Sequence, residues 1–173
     1  RFVLVAVLAA QLLNIGVLGQ GRVVIFAQTA WIKLSPMTSP PPRTNHAMVF
    51  AGDSVLLFGG QRPAGGGYLN DTWRFDGSTW QQVQTATSPP ARGGHAMAYD
   101  PARKVTVLFS GWNGGRYPRD TWEFDGTNWK AVTGTQPPER DWHQMAFEPI
   151  SQKVVMFGGH DYRRHSNNGP GAW

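Results

Sequence analysis

The 173-residue sequence contains no cysteine. That excludes disulfides, thiolate metal sites and a cysteine nucleophile. It leaves export open, because oxidising compartments permit disulfides without requiring them. Charged residues are sparse, at 16%. Lys and Arg outnumber Asp and Glu by 16 to 11, but the excess collects in no dense basic stripe and no nucleic-acid-binding motif. No nucleic-acid partner is expected. A sustained helical period is missing after residue 30, which argues against helices there. What the sequence has instead is bulk and punctuation. Eight Trp and nine Phe can fill packed sheets, and 21 Gly and 13 Pro can turn the chain.

The same text recurs. RTNHAMVF, VLLFGG and NDTWRFDGSTW are followed by ARGGHAMAYD, VTVLFSG and DTWEFDGTNW, then by RDWHQMAF and VVMFGG. His46 and His95 lie 49 residues apart, and His95 and His143 lie 48 apart. The pairs Trp73/Trp122, Phe75/Phe124 and Trp80/Trp129 are each separated by 49. A fixed period carried by several independent residues marks a repeat architecture. In the middle copy, short apolar runs occupy residues 95–99, 105–109, 121–124 and 129–132. Gly, Pro and Asp bound each run, so each is a predicted strand. Asp125-Gly126, between two aromatic runs, is a hairpin signal because Gly accepts a positive φ. Four antiparallel strands in about 49 residues is the size of one propeller blade.

The pattern R-x-x-H-x-M, an apolar strand ending Phe-Gly-Gly, then N-D-T-W-x-F-D-G-x-x-W resembles the kelch repeat. It is similar in particular to the form found in many secreted bacterial proteins. The motif positions are Arg43, His46, Gly59, Gly60, Asp71, Trp73, Asp76, Gly77 and Trp80 in the first copy. They are Arg92, His95, Gly111, Asp120, Trp122, Asp125, Gly126 and Trp129 in the second, and Arg140, His143, Gly158 and Gly159 in the third. The second copy departs at Ser110, where the family has Gly, and the third at Gly171-Ala172, where it has Asp-Thr. The resemblance implies an all-β fold, a kelch-type β-propeller. Two complete blades and part of a third cannot close a ring, so the sequence is read as a fragment of a longer one.

Five segments are expected. Residues 1–27 form a signal peptide or an N-terminal membrane anchor, since the run from Phe2 to Leu18 is almost entirely apolar. Residues 28–42 carry an outer strand of a preceding or closing blade, with Trp31 in register with Trp80, and then a Pro-rich linker. Blade 1 covers 43–91, blade 2 covers 92–139, and a truncated blade 3 covers 140–173.

The repeated residues are expected to build the fold. Three His at one repeat position suggest a metal site near the axis, but a residue repeated once per blade is more economically a structural fixture, hydrogen-bonded to a neighbouring blade. Asp71 and Asp120 hold identical places, so capping or pairing with Arg43, Arg92 or Arg140 outweighs an acid–base role. Trp73, Trp122, Trp80 and Trp129 are expected in packing. No metal and no cofactor are expected.

Function is expected where the copies differ, in the loops between strands two and three and those entering strand one. The candidate binding residues are Trp112, Arg116, Tyr117, Trp142, His160, Tyr162, Arg163, Arg164 and His165. Aromatic and Arg side chains combine apolar area with hydrogen bonds and suit protein interfaces and sugar faces. The reading is an exported interaction module, secreted, periplasmic or on the cell surface, with an unknown protein or carbohydrate ligand. Apart from a possible anchor at residues 1–27, no membrane contact is expected. Two alternatives stay open. One is part of a galactose-oxidase-like or mutarotase-like enzyme with its active site elsewhere; the copper oxidases need a Cys-linked Tyr, and Cys is absent. The other is a structural surface array.

Overall fold

Ten strands build three antiparallel sheets in a computed structural model that describes residues 33–160. Blade 1 is β1 (Ala47–Phe50), β2 (Val55–Gln61), β3 (Tyr68–Phe75) and β4 (Trp80–Val83), hydrogen-bonded in that order. Blade 2 repeats it with β5 (Ala96–Asp100), β6 (Val105–Phe109), β7 (Thr121–Phe124) and β8 (Trp129–Val132). The pair β9 (Gln144–Glu148) and β10 (Lys153–Phe157) opens blade 3. The all-β, blade-by-blade expectation holds, with β5 shifted by one residue towards the C-terminus. Residues 33–42 contain no strand, and Trp31 and the expected signal or anchor segment lie outside the described residues. Among the described residues no helix is long and apolar enough to cross a membrane.

The register is copied between blades. Ala47 pairs with Phe58, Ala96 with Phe109 and Gln144 with Phe157. Period-2 alternation then sends Leu56 and Phe58 to one face of blade 1, where they meet Met97, Leu108, Phe124 and Trp129 of blade 2 in one buried cluster. Phe58 and Trp129 meet edge to face at 5.0 Å, and Trp129 Nε1 donates to Thr72 Oγ1 across the seam at 2.9 Å. Trp80 occupies the same place in blade 1, packed on Phe75 at 5.1 Å as Trp129 is on Phe124, but its buried Nε1 finds no acceptor among the described residues.

The predicted Asp-Gly hairpins form as four-residue turns. Asp125 Oδ1 accepts from the backbone N–H of Thr127 and Asn128, both at 2.8 Å, and Asp76 does the same for Ser78 and Thr79. The Thr127 hydroxyl and these N–H groups hold the Asp125 carboxyl below the usual carboxylate range, and the Thr79 and Ser78 N–H groups do so for Asp76.

Candidate functional site

At the end of each blade where the loop between its second and third strands meets the entry to its first, the repeat positions form a fixed scaffold. Arg92 enters blade 2 and grips Asp120 with both prongs, Nη1–Oδ1 at 2.6 Å and Nη2–Oδ2 at 2.8 Å. The Trp122 indole donates to the same carboxylate at 2.8 Å, and Arg92 Nη1 also donates to the Ser110 carbonyl at 2.9 Å. Arg43, Asp71, Trp73 and the Gly59 carbonyl reproduce this constellation in blade 1. Burial pushes both Asp carboxyls upward, but the Arg and Trp partners together outweigh it and hold them below the usual range. The two carboxylates are shifted in the same direction by the same partners, so they are paired anchors with equal roles. Arg140 repeats the backbone bond, to Gly158 O at 2.8 Å, and meets no carboxylate among the described residues.

The repeated histidines lie at the seams between blades. They were expected to be structural fixtures bonded to a neighbouring blade; the ring nitrogens of buried His95 and His143 have no well-aligned partner among the described residues, although the Phe58 backbone of the preceding blade lies beside His95. Both pack edge-on against the preceding blade, His95 on Phe58 at 5.5 Å and His143 on Phe109 at 5.7 Å. Burial, helped by nearby Arg92, lowers His95 to about 3, with the Phe58 carbonyl pulling weakly the other way. Burial and Arg140 lower His143 to about 4, so both rings are neutral at pH 7. Gly60 and Gly111 complete the seam, donating from their N–H to the carbonyls of Arg92 and Arg140 at 2.8 and 2.9 Å. A side chain at Gly111 would strike Gly93 O at 2.8 Å, which explains the glycine. The other half of the dipeptide tolerates more: Ser110 adopts φ 51°, and its hydroxyl accepts from Arg140 N at 2.9 Å.

A family model described as the KLHDC2/KLHL20/DRC7 Kelch-repeats domain matches residues 22–159. The chain belongs to the kelch-repeat family. No curated protein matches it.

On this kelch scaffold, aromatic side chains from three blades gather around Gly93 and Gly94. Trp112 exchanges two backbone hydrogen bonds with Gly93, at 2.9 and 2.8 Å. Tyr117 packs on the Trp112 ring at 4.4 Å. Trp142 N–H donates to the Gly94 carbonyl at 2.8 Å, and its side chain is 55% exposed. Tyr68, from the blade 1 loop, lies close enough to Gly93 that an added methyl would sit 3.2 Å from its ring. Arg116 is exposed at the tip of a turn whose N–H groups Asn113 Oδ1 caps. His160 Nδ1 lies 3.2 Å from Asp141 Oδ1, and burial raises the Asp141 carboxyl more than His160 lowers it.

The structure therefore joins Trp112, Tyr117 and Trp142 in one neighbourhood, with Arg116 and His160 on the same loop face. Tyr162, Arg163, Arg164 and His165 lie outside the described residues. Tyr68 is not among the candidate residues that the sequence singles out. Nor are Gly93 and Gly94, whose missing side chains admit the rings. The available signal was the change of Thr44-Asn45 to Gly93-Gly94 and Asp141-Trp142 at one repeat position.

Trp142 stands out by its backbone. Asn45, Gly94 and Trp142 are equivalent and all left-handed, with φ of 58°, 66° and 58°. Gly and Asn tolerate that region; a bulky aromatic pays about 1–2 kcal/mol to occupy it.

Proposed function

We propose that this kelch chain is an interaction module that binds a protein ligand through the aromatic loop face around Gly93 and Gly94. The observation that carries the reading is Trp142. A large ring is kept half exposed at a left-handed position where the other repeats place Asn and Gly. Strain retained at a surface residue points to a role in binding rather than in folding. Trp112 and Tyr117 extend the apolar surface, and Arg116 adds a charged hydrogen-bond donor at its rim, the composition of an interface hot spot. The Tyr162, Arg163, Arg164 and His165 run occupies the same stretch of the repeat in sequence as the Trp112 loop and is tested with it. A glycan ligand is the second reading, favoured by the paired Trp112 and Tyr117 rings.

Export is part of the proposal and rests on the apolar run from Phe2 to Leu18. No catalytic role is assigned to the loop face.

The test is a binding screen of the full chain against peptide and glycan arrays, with Trp112→Ala, Tyr117→Ala and a Tyr162, Arg163 and Arg164 to Ala variant alongside. Binders lost in the first two variants support the reading. Ligands that bind every variant as they bind the parent would place the site elsewhere.

A further inference from the structure

Three four-residue turns in the chain share one geometry. Asp76-Gly77-Ser78-Thr79 and Asp125-Gly126-Thr127-Asn128 close hairpins, and Asn113-Gly114-Gly115-Arg116 forms the tip of the loop beside Trp112. In each, the first residue donates its N–H to the carbonyl of the fourth, at 3.3, 3.2 and 3.2 Å. In each, its Oδ1 accepts from the N–H groups of the third and fourth residues. At Asn113 those donors are Gly115 and Arg116, at 3.0 and 2.8 Å. Glycine stands second every time, with φ of 99°, 99° and 97°. The capping group differs in chemistry: Asp76 and Asp125 supply carboxylates, and Asn113 supplies an amide.

We propose that Asn113 is a modification site, where attack by the Gly114 backbone nitrogen removes the side-chain amide and leaves a carboxylate. Gly114 N–H makes no hydrogen bond among the described residues. The residue is exposed to water, and glycine has no side chain to shield its nitrogen. The Gly115 and Arg116 N–H groups draw electron density from Cγ and stabilise the negative charge that gathers on Oδ1 during attack. Gly114 N bonds to Cγ. Its proton passes through water to Nδ2, which leaves as ammonia. One water then opens the cyclic imide. Addition at Cγ leaves aspartate; addition at the backbone carbonyl carbon leaves isoaspartate, with the chain running through Cγ. One water is consumed, one ammonia is released, and nothing is oxidised or reduced. Asp76 and Asp125 precede glycine in the same turn but resist this step, because their carboxylates are held ionised and repel a nucleophile.

The aspartate product suits the turn. Its carboxylate accepts the same two N–H groups, as Asp125 does, and a charged acceptor binds them more strongly. Isoaspartate fits less well. It lengthens the backbone next to Gly114, where an added Cβ would already sit 3.4 Å from the Tyr68 ring. Either product puts a negative charge beside Arg116, on the loop face that carries Trp112 and Tyr117.

Peptide mapping by mass spectrometry tests this on the full chain, held in mildly alkaline buffer and checked for folding by circular dichroism. Asn113 is expected to convert at least about tenfold faster than Asn45, Asn70 and Asn128, which precede His, Asp and Trp. The Asn113→Asp variant is expected to melt at or above the temperature of the parent. Conversion at Asn113 no faster than at the other three overturns the proposal. So does conversion that appears only in urea, since the turn would then protect the amide rather than activate it. An Asn113→Asp variant that melts well below the parent also overturns it, because the carboxylate would not fit the turn.

Discussion

Arg92 and Asp120 are 28 residues apart in the chain and meet in a two-pronged salt bridge, with the Arg92 side chain fully buried. It staples the entry of β5 to the start of β7, and Arg43 and Asp71 do the same in blade 1. Removing one partner strands a buried charge. Asp120→Ala is expected to cost about 3 kcal/mol in urea unfolding. Arg140→Met should cost much less, because Arg140 meets no carboxylate among the described residues. Equal losses in the two variants would show that the ion pair is not what fixes the blade.

Gly111 and Gly77 share a φ of +99° but differ in surroundings. A Cβ on Gly111 would lie 2.8 Å from Gly93 O and 2.9 Å from His95 N, whereas one on Gly77 meets nothing within 4 Å. Gly77→Ala is expected to cost about 1 kcal/mol from backbone strain alone. Gly111→Ala adds a clash with backbone that cannot step aside and should exceed 2 kcal/mol, on the order of other overpacked sites. Chemical denaturation of both variants gives the ranking, and the reverse order would contradict the seam geometry.

The buried histidines make stability depend on pH. Folded His95 and His143 hold protons only near pH 3 and 4, against 6.5 when unfolded. Between these values the unfolded chain binds more protons, so stability is lost as the pH falls below 6.5. The limiting slope is about 1.4 kcal/mol per pH unit for each ring. Asp71 and Asp120, with lowered carboxyls, add to the loss only in the carboxylate range, where Asp141 opposes it. Urea midpoints at pH 7 and pH 5 should differ, and His95→Leu should reduce the difference. A flat profile would mean that the rings are charged or solvated in the fold.

Much of the fold was legible because the repeat reports the same physics several times. The steady offsets of His95, Trp122 and Trp129 located blades, and Asp125-Gly126 located the hairpin. The Arg–Asp pairing was readable for the same reason. The edge-on packing of His95 on Phe58 was not, because a polar residue at a repeat position does not announce which ring of the neighbouring blade it meets. Of the site, the loops were legible but their convergence was not. Trp112 and Trp142 are 30 residues apart in sequence and meet through Gly93 and Gly94, which carry no side chain to announce them. The strain at Trp142 follows from its equivalence to Asn45 and Gly94, and a backbone angle was needed to expose it.

The central claim is that repeated residues hold this kelch fold while the divergent loops do its work, and Trp142→Asn tests it most directly. Asparagine suits the left-handed backbone that Asn45 already adopts, so melting temperature should hold or rise. Affinity for a ligand found in the array screen should fall at least about tenfold, the loss of roughly 1.4 kcal/mol expected of an interface anchor. A variant that melts lower yet binds as tightly as the parent would make Trp142 a structural residue and contradict the account.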